Sequence, residues 1–161
     1  MYKRQSPTRG VYKGGFPLAN VDGTQYVTIA SKGNSTKFGD LIQPHTGGDA
    51  CSNSVRGIFA GGYAPNQGGP ALTNIQYLTI ASEGDTIHFG DLYIGADDPS
   101  AVANQVRGVF SGGYSNPTSI TRMEYITLAT AGDAQDFGDL GLGNDRRAAA
   151  TSDSHGGLGG Y

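Results

Sequence analysis

The chain has 161 residues and a mass of 16.6 kDa, about the size of one ordinary domain. Glycine fills 27 positions, more than twice its usual share, while Leu, Ile, Val and Phe together supply only 31. A net charge of −3 is too small to keep such a chain expanded, no basic stretch could neutralise a row of phosphates, and no apolar run approaches the ~20 residues that span a bilayer, so disorder, nucleic acid and membrane are poor readings.

Residues 1–5 lie outside any repeat. They carry positive charge but no apolar run follows, so they are not a secretory signal. The string resembles the translation of a transposon-end sequencing adapter, and the expectation is a non-native scar with no part in the fold.

From residue 6 the chain is an internal repeat. Residues 6–46 contain TRGVYKGGF, QYVTIASKG and KFGDL; residues 47–95 contain VRGIFAGGY, QYLTIASEG and HFGDL; residues 96–143 contain VRGVFSGGY, EYITLATAG and DFGDL. The pairs Gly14–Gly15, Gly61–Gly62 and Gly112–Gly113 lie 47 and then 51 residues apart, and Gly159–Gly160 follows after another 47. A fourth unit, residues 144–161, therefore opens and runs for two strands.

Each Arg-Gly to Gly-Gly stretch packs an apolar pair between glycines and is too short for a helix, so it reads as a strand. The Tyr-bearing stretches are β-branched and aromatic and read as strands that turn at Gly33, Gly84 and Gly132. Phe-Gly-Asp-Leu supplies another short strand, always 12 residues after Tyr26, Tyr77 and Tyr125, at Phe38, Phe89 and Phe137. ACSNS, AVANQ and RAAATSDS read as opening strands, which the first unit lacks. The expected fold is thus all-β, a propeller of four-stranded antiparallel blades in an incomplete ring of about three and a half blades.

These residues resemble the Kelch-type repeat, in which a blade carries an Arg near its start, a Gly-Gly closing its second strand, a Tyr in the third and a Trp in the fourth. Arg147, Gly112–Gly113 and Tyr125 stand at such positions, and Phe137 occupies the place of the Trp, which is absent from the chain. The wording RGVFxGGY followed by EYITLATAGDAxDFGDL is closer to the Kelch-like repeats of structural, tail- or fibre-associated proteins of tailed bacteriophages. That resemblance implies a non-enzymatic virion component that acts as a scaffold or as a receptor- or glycan-binding surface. A cellular Kelch-type adaptor binding protein partners is the alternative, and a propeller enzyme with catalytic residues elsewhere is a third reading. Because propellers carry ~4–8 blades, either further blades of the same polypeptide or another copy of the chain must complete the ring, the former being favoured.

No catalytic, cofactor or metal constellation is expected. Arg9, Arg56 and Arg107 recur with Asp40, Asp91 and Asp139 and read as structural pairs repeated once per blade. Asp85 and Asp133, with Asn34 at the equivalent place, read as turn residues bonding local backbone, since one carboxylate per loop falls short of a calcium site. Tyr26, Tyr77 and Tyr125 read as core aromatics, the Gly-Gly pairs as places of close backbone approach, and His45, His88 and His155 as surface residues. Lone Cys51 has no basic neighbour and reads as a small strand residue. Length varies in one place only: from Gly-Gly to Tyr the intervals are 11, 15 and 12 residues. Loops 16–23, 63–72 and 114–120 are therefore the expected recognition surface, with Tyr63, Asn66, Tyr114 and Asn116 as contacts for a protein or glycan.

Overall fold

The computed structural model describes residues 8–14, 22–64, 69, 71–141 and 149–152. Residues 1–5, Gly15, Asn66, His155 and most of loop 16–23 lie outside them. The described residues contain no helix and thirteen strands in four antiparallel sheets. Sheet I holds β1 (Arg9–Lys13), β2 (Gly23–Thr28) and β3 (Thr36–Asp40). Sheet II holds β4 (Asp49–Ser52), β5 (Arg56–Ala60), β6 (Asn74–Thr79) and β7 (Ile87–Asp91). Sheet III holds β8 (Ser100–Ala103), β9 (Arg107–Ser111), β12 (Arg122–Thr127) and β13 (Gln135–Asp139). Between β9 and β12 stands a two-stranded ribbon, β10 (Tyr114–Ser115) with β11 (Thr118–Ser119).

In each sheet the strands pair in chain order, and the copies share one register. Tyr26, Tyr77 and Tyr125 face Val11, Ile58 and Val109 across one ladder and Thr36, Ile87 and Gln135 across the next. Just before each Tyr the ladder slips by one residue, so Phe38, Phe89 and Phe137 are the extra residues of equivalent β-bulges. A bulge bends the strand and re-aims its side chain. Phe38 accordingly leaves its own sheet to pack with Phe59 and Leu78 of sheet II, and Phe89 joins Phe110, Ile126 and Leu128 of sheet III. Each Phe meets its Tyr edge-on, with ring centroids 5.9, 5.9 and 6.1 Å apart.

The core is thus built between sheets as much as within them. Ile58, Ile75, Leu78, Ile126 and Leu128 are fully buried. Each such side chain stabilises the fold by roughly 1.5–3 kcal/mol.

The turn after the Tyr strand does not form at the glycine, as the sequence suggests. It closes earlier, where Ser31, Ser82 and Thr130 donate their N–H to Thr28, Thr79 and Thr127. Gly84 and Gly132 lie farther along, where the chain runs against the edge of the preceding sheet, and donate to Phe38 O at 2.9 Å and Phe89 O at 2.7 Å. A Cβ on Gly39 would stand 2.0 Å from Gly84 O, and one on Gly90 2.2 Å from Gly132 O. Phe-Gly-Asp needs its glycine because another backbone passes there.

Candidate functional site

The side chains repeated once per unit are spent on joining sheets. Arg9, Arg56 and Arg107 do not pair with Asp40, Asp91 and Asp139, contrary to expectation; each guanidinium lies over the Tyr ring of its own sheet, 4.7, 4.6 and 4.7 Å from the centroid. Arg9 Nη1 then donates to Ile80 O at 3.1 Å and Arg56 Nη1 to Leu128 O at 2.7 Å, the same position in the following sheet. Arg9 also stands 3.7 Å from Glu83, which accepts a hydrogen bond from Tyr26 and so raises the phenol's pKa. An Arg stacked on a ring keeps its planar fork free to bond edge-on, so one side chain serves both contacts.

The aspartates have other partners. Lys37 Nζ donates to Asp40 at 2.8 Å, Thr73 Oγ1 to Asp91 at 2.9 Å and Thr121 Oγ1 to Asp139 at 3.4 Å. The second acidic set also departs from expectation: Asp85 and Asp133 do not cap local backbone but reach the preceding sheet, accepting the N–H of Asp40 at 2.9 Å and of Asp91 at 3.1 Å. Thr86 and Ala134 return the bond to Asp40 O and Asp91 O, both at 2.9 Å. A buried residue just before Tyr77 and before Tyr125 completes the seam: Gln76 Oε1 accepts from Ile42 N at 3.1 Å, and Glu124 Oε2 from Tyr93 N at 2.9 Å.

The loops singled out for recognition leave from the opposite end of the Gly-Gly strands. Gly61 and Gly62 have φ of 70° and 101°, and a Cβ there would meet Ala96 O at 2.4 Å and Thr46 O at 2.5 Å, so both backbone conformation and space require glycine. Gly112 and Gly113 follow with φ of 67° and 97°. Just beyond, Tyr63 bridges to Thr46 and Ala71, and Tyr114 to Asp97 and Ser119. Thr46 and Asp97 belong to the connections that cross from one sheet to the next, so both loops emerge beside those crossovers. Tyr63 is partly exposed, and Tyr114 Oη donates to Asn116 Oδ1 at 3.2 Å on the tip of the β10–β11 ribbon. Residues 16–21 of the first loop and Asn66 lie outside the described residues, so the structure brings together Tyr63, Tyr114 and Asn116 only to the extent of placing them at one end of their sheets.

One polar group was not legible as a unit. His45 is 2% exposed rather than at the surface: its Nδ1 lies 2.9 Å from Gln43 O and 3.3 Å from Gln76 Nε2, while Nε2 has no hydrogen-bond partner among the described residues. Burial, with Lys13 adding to it, pushes its pKa down to about 4. Lys13 donates from Nζ to Gly47 O, and burial lowers its pKa to about 8 against the upward pull of Asp49, Asp98 and Asp97. His45 is invisible to repeat comparison because Ala96 occupies its place in the next unit. The one available signal was the Lys at the end of β1, where Ala60 and Ser111 stand in the other copies.

Cys51 is buried, and burial followed by Asp49 pushes its thiol pKa up to about 12, which leaves no thiolate to act as a nucleophile. Among the described residues no three His, Cys, Asp or Glu side chains gather as a metal site. No family model matches the chain, and no curated protein matches it.

Proposed function

We propose that the chain is part of a non-enzymatic Kelch-type β-propeller from a virion structural or tail-associated phage protein, its sheets being blades and its variable loops a recognition surface for a protein or glycan. One contrast supports this reading. The main hydrogen bonds between sheets recur in both seams, whereas loops 63–72 and 114–120 beside the crossovers differ in length and sequence, and the second forms its own ribbon. Selection for assembly fixes the first kind of contact, and selection for a ligand diversifies the second. Exposed Tyr with neighbouring amides suits sugar faces and protein surfaces alike. The virion assignment is supported by the resemblance of the repeat wording.

The test exchanges residues 65–70 and 115–118 for Gly-Ser of equal length and measures binding to a glycan array and adsorption to bacterial cells. The expected result is at least a tenfold loss of binding with the β-sheet circular dichroism retained. Unchanged binding in the exchanged protein, or a wild-type chain that binds neither glycans nor cells, would count against the reading.

A further inference from the structure

We propose that Tyr93 and Arg122 form a stacking platform for a neutral pyranose sugar, on the crossover between the two variable loops, a ligand class that rests on the recognition-surface reading.

The position of Tyr93 is one of display. Its N–H is held by buried Glu124 at 2.9 Å, as that of Ile42 is held by Gln76 at 3.1 Å and Thr86 at 2.9 Å, so the chain leaves each closed seam from a fixed point. The side chain at that point is exposed in both copies, Ile42 by 50% and Tyr93 by 74%. An open sheet edge is not the cause, because Ile42 stays exposed with a whole further sheet beyond its seam. The side chain is also not repeated: Ile42 gives way to Tyr93, and Gly141 stands at the third place. A side chain that varies while its backbone contact is kept is not used for assembly.

The crossover that carries Tyr93 touches both variable loops. Ala96 N–H donates to Leu72 O at 3.2 Å, and a Cβ on Gly95 would strike Ala71 O at 2.2 Å, both at the end of loop 63–72. One residue on, Asp97 N–H donates to Tyr114 O at 2.9 Å, at the foot of the β10–β11 ribbon.

The ring is fixed before any ligand arrives. Arg122 Cζ stands 4.6 Å from the Tyr93 ring centroid, while its Nε lies 3.0 Å from Glu124 and its Nη2 3.7 Å from Asp136. In sheet II the places of Arg122 and Asp136 are taken by Asn74 and His88, which bond each other at 3.0 Å. Tyr93 with Arg122 thus replaces Ile42 with Asn74 as a pair. The guanidinium backs one face of the ring, and the exposure of Tyr93 leaves the other face to solvent.

The surrounding groups select the ligand. A pyranose turns polarised C–H bonds toward the negative face of an aromatic ring and carries hydroxyls at its rim. Asp136, with its side chain 65% exposed, offers two acceptor oxygens to such hydroxyls, and the Tyr93 hydroxyl can donate and accept. Charge disfavours other stacking partners. Two carboxylates flank the one guanidinium, so a phosphate or a sialic acid carboxylate meets an excess of negative charge. A second Arg or a Lys on the outer face would confront Arg122 through the ring. A neutral sugar meets neither repulsion, and a ring already held in place loses little freedom on binding.

The test is a glycan array that carries neutral glycans ending in glucose, galactose or mannose beside sialylated ones, followed by titration of the neutral glycan bound best by the 161-residue chain. Tyr93→Ala weakens that glycan by about tenfold or more with the sheet circular dichroism unchanged. Tyr93→Phe keeps the aromatic face and stays within about threefold of wild type. Arg122→Lys keeps a cation for buried Glu124 but gives the ring no planar backing, and binding weakens by a few-fold. Unaltered affinity in Tyr93→Ala would overturn the platform while leaving the loops to their own exchange. Binding restricted to sialylated glycans, or adsorption to cells with no glycan bound, would overturn the neutral-sugar assignment and leave the recognition surface standing. A chain that binds neither glycans nor cells would remove both.

Discussion

Phe89 and Phe137 are the same residue of the same motif, twelve positions after a Tyr, on equivalent bulges and in the same edge-on contact with that Tyr. Phe89 is 3% exposed and Phe137 49%. The local sequence makes the bulge and aims the ring, but only a neighbouring sheet buries it. Stability in this molecule is therefore a property of seams, as in other repeat architectures where a unit cannot bury its apolar face alone.

The largest expected effect tests that difference directly. In dilute solution, Phe89→Ala removes a ring packed against Phe110, Ile126 and Leu128 and destabilises the chain by about 3–5 kcal/mol, measured by urea unfolding. Phe137→Ala at the open edge costs about 1 kcal/mol or less under the same conditions. Equal losses from the two substitutions in a monomeric sample would mean that the seam is not the unit of stability.

Most of this architecture was legible in the sequence. The repeat, the strands, the common register and the need for glycine at Gly61–Gly62 all follow from local patterns, because strand chemistry and positive φ are local properties. The partners of charged residues were not legible. Arg56 and Asp91 recur in step, which suggests a pair, yet Arg56 turns to a Tyr face and a neighbouring carbonyl while Asp91 takes a Thr hydroxyl. Periodicity reveals that two residues are both required, and it does not reveal that they touch. His45 was misread for the opposite reason: it has no counterpart in other copies, and its burial comes from a crossover whose path depends on tertiary contacts.

The two closed seams differ at that crossover, His45 beside Gln76 in the first and Ala96 near Glu124 in the second, so acid should separate them. His45 is held neutral in the folded chain with a pKa of about 4, against 6.5 when exposed. The unfolded chain thus binds the extra proton first, and the stability linked to this group is complete above pH 6.5 and is lost as pH falls from 6.5 through 4. The loss amounts to about 3 kcal/mol. Subtracting the pH–stability curve of His45→Gln from that of wild type isolates it from the carboxylates; a difference that stays flat between pH 6.5 and 4 would show that His45 protonates in place.

The smallest effect concerns the arginines. Arg56 and Arg107 make the same stack on Tyr77 and Tyr125, at 4.6 and 4.7 Å, but only Arg56 is seen to donate across a seam, to Leu128 O at 2.7 Å. An exposed cation–π contact is worth about 0.5–1 kcal/mol, and a charge-assisted hydrogen bond about 1.5 kcal/mol more. In a monomeric sample Arg56→Ala should therefore destabilise by about 2 kcal/mol and Arg107→Ala by less than about 1 kcal/mol. Lysine sharpens the distinction, because it can reach a carbonyl but presents no planar face to the ring. Arg56→Lys should recover part of the loss through the seam bond, while Arg107→Lys should behave like Arg107→Ala. If lysine rescues neither position, the stack rather than the hydrogen bond carries the arginine's contribution, and the open and closed edges differ in their apolar burial alone.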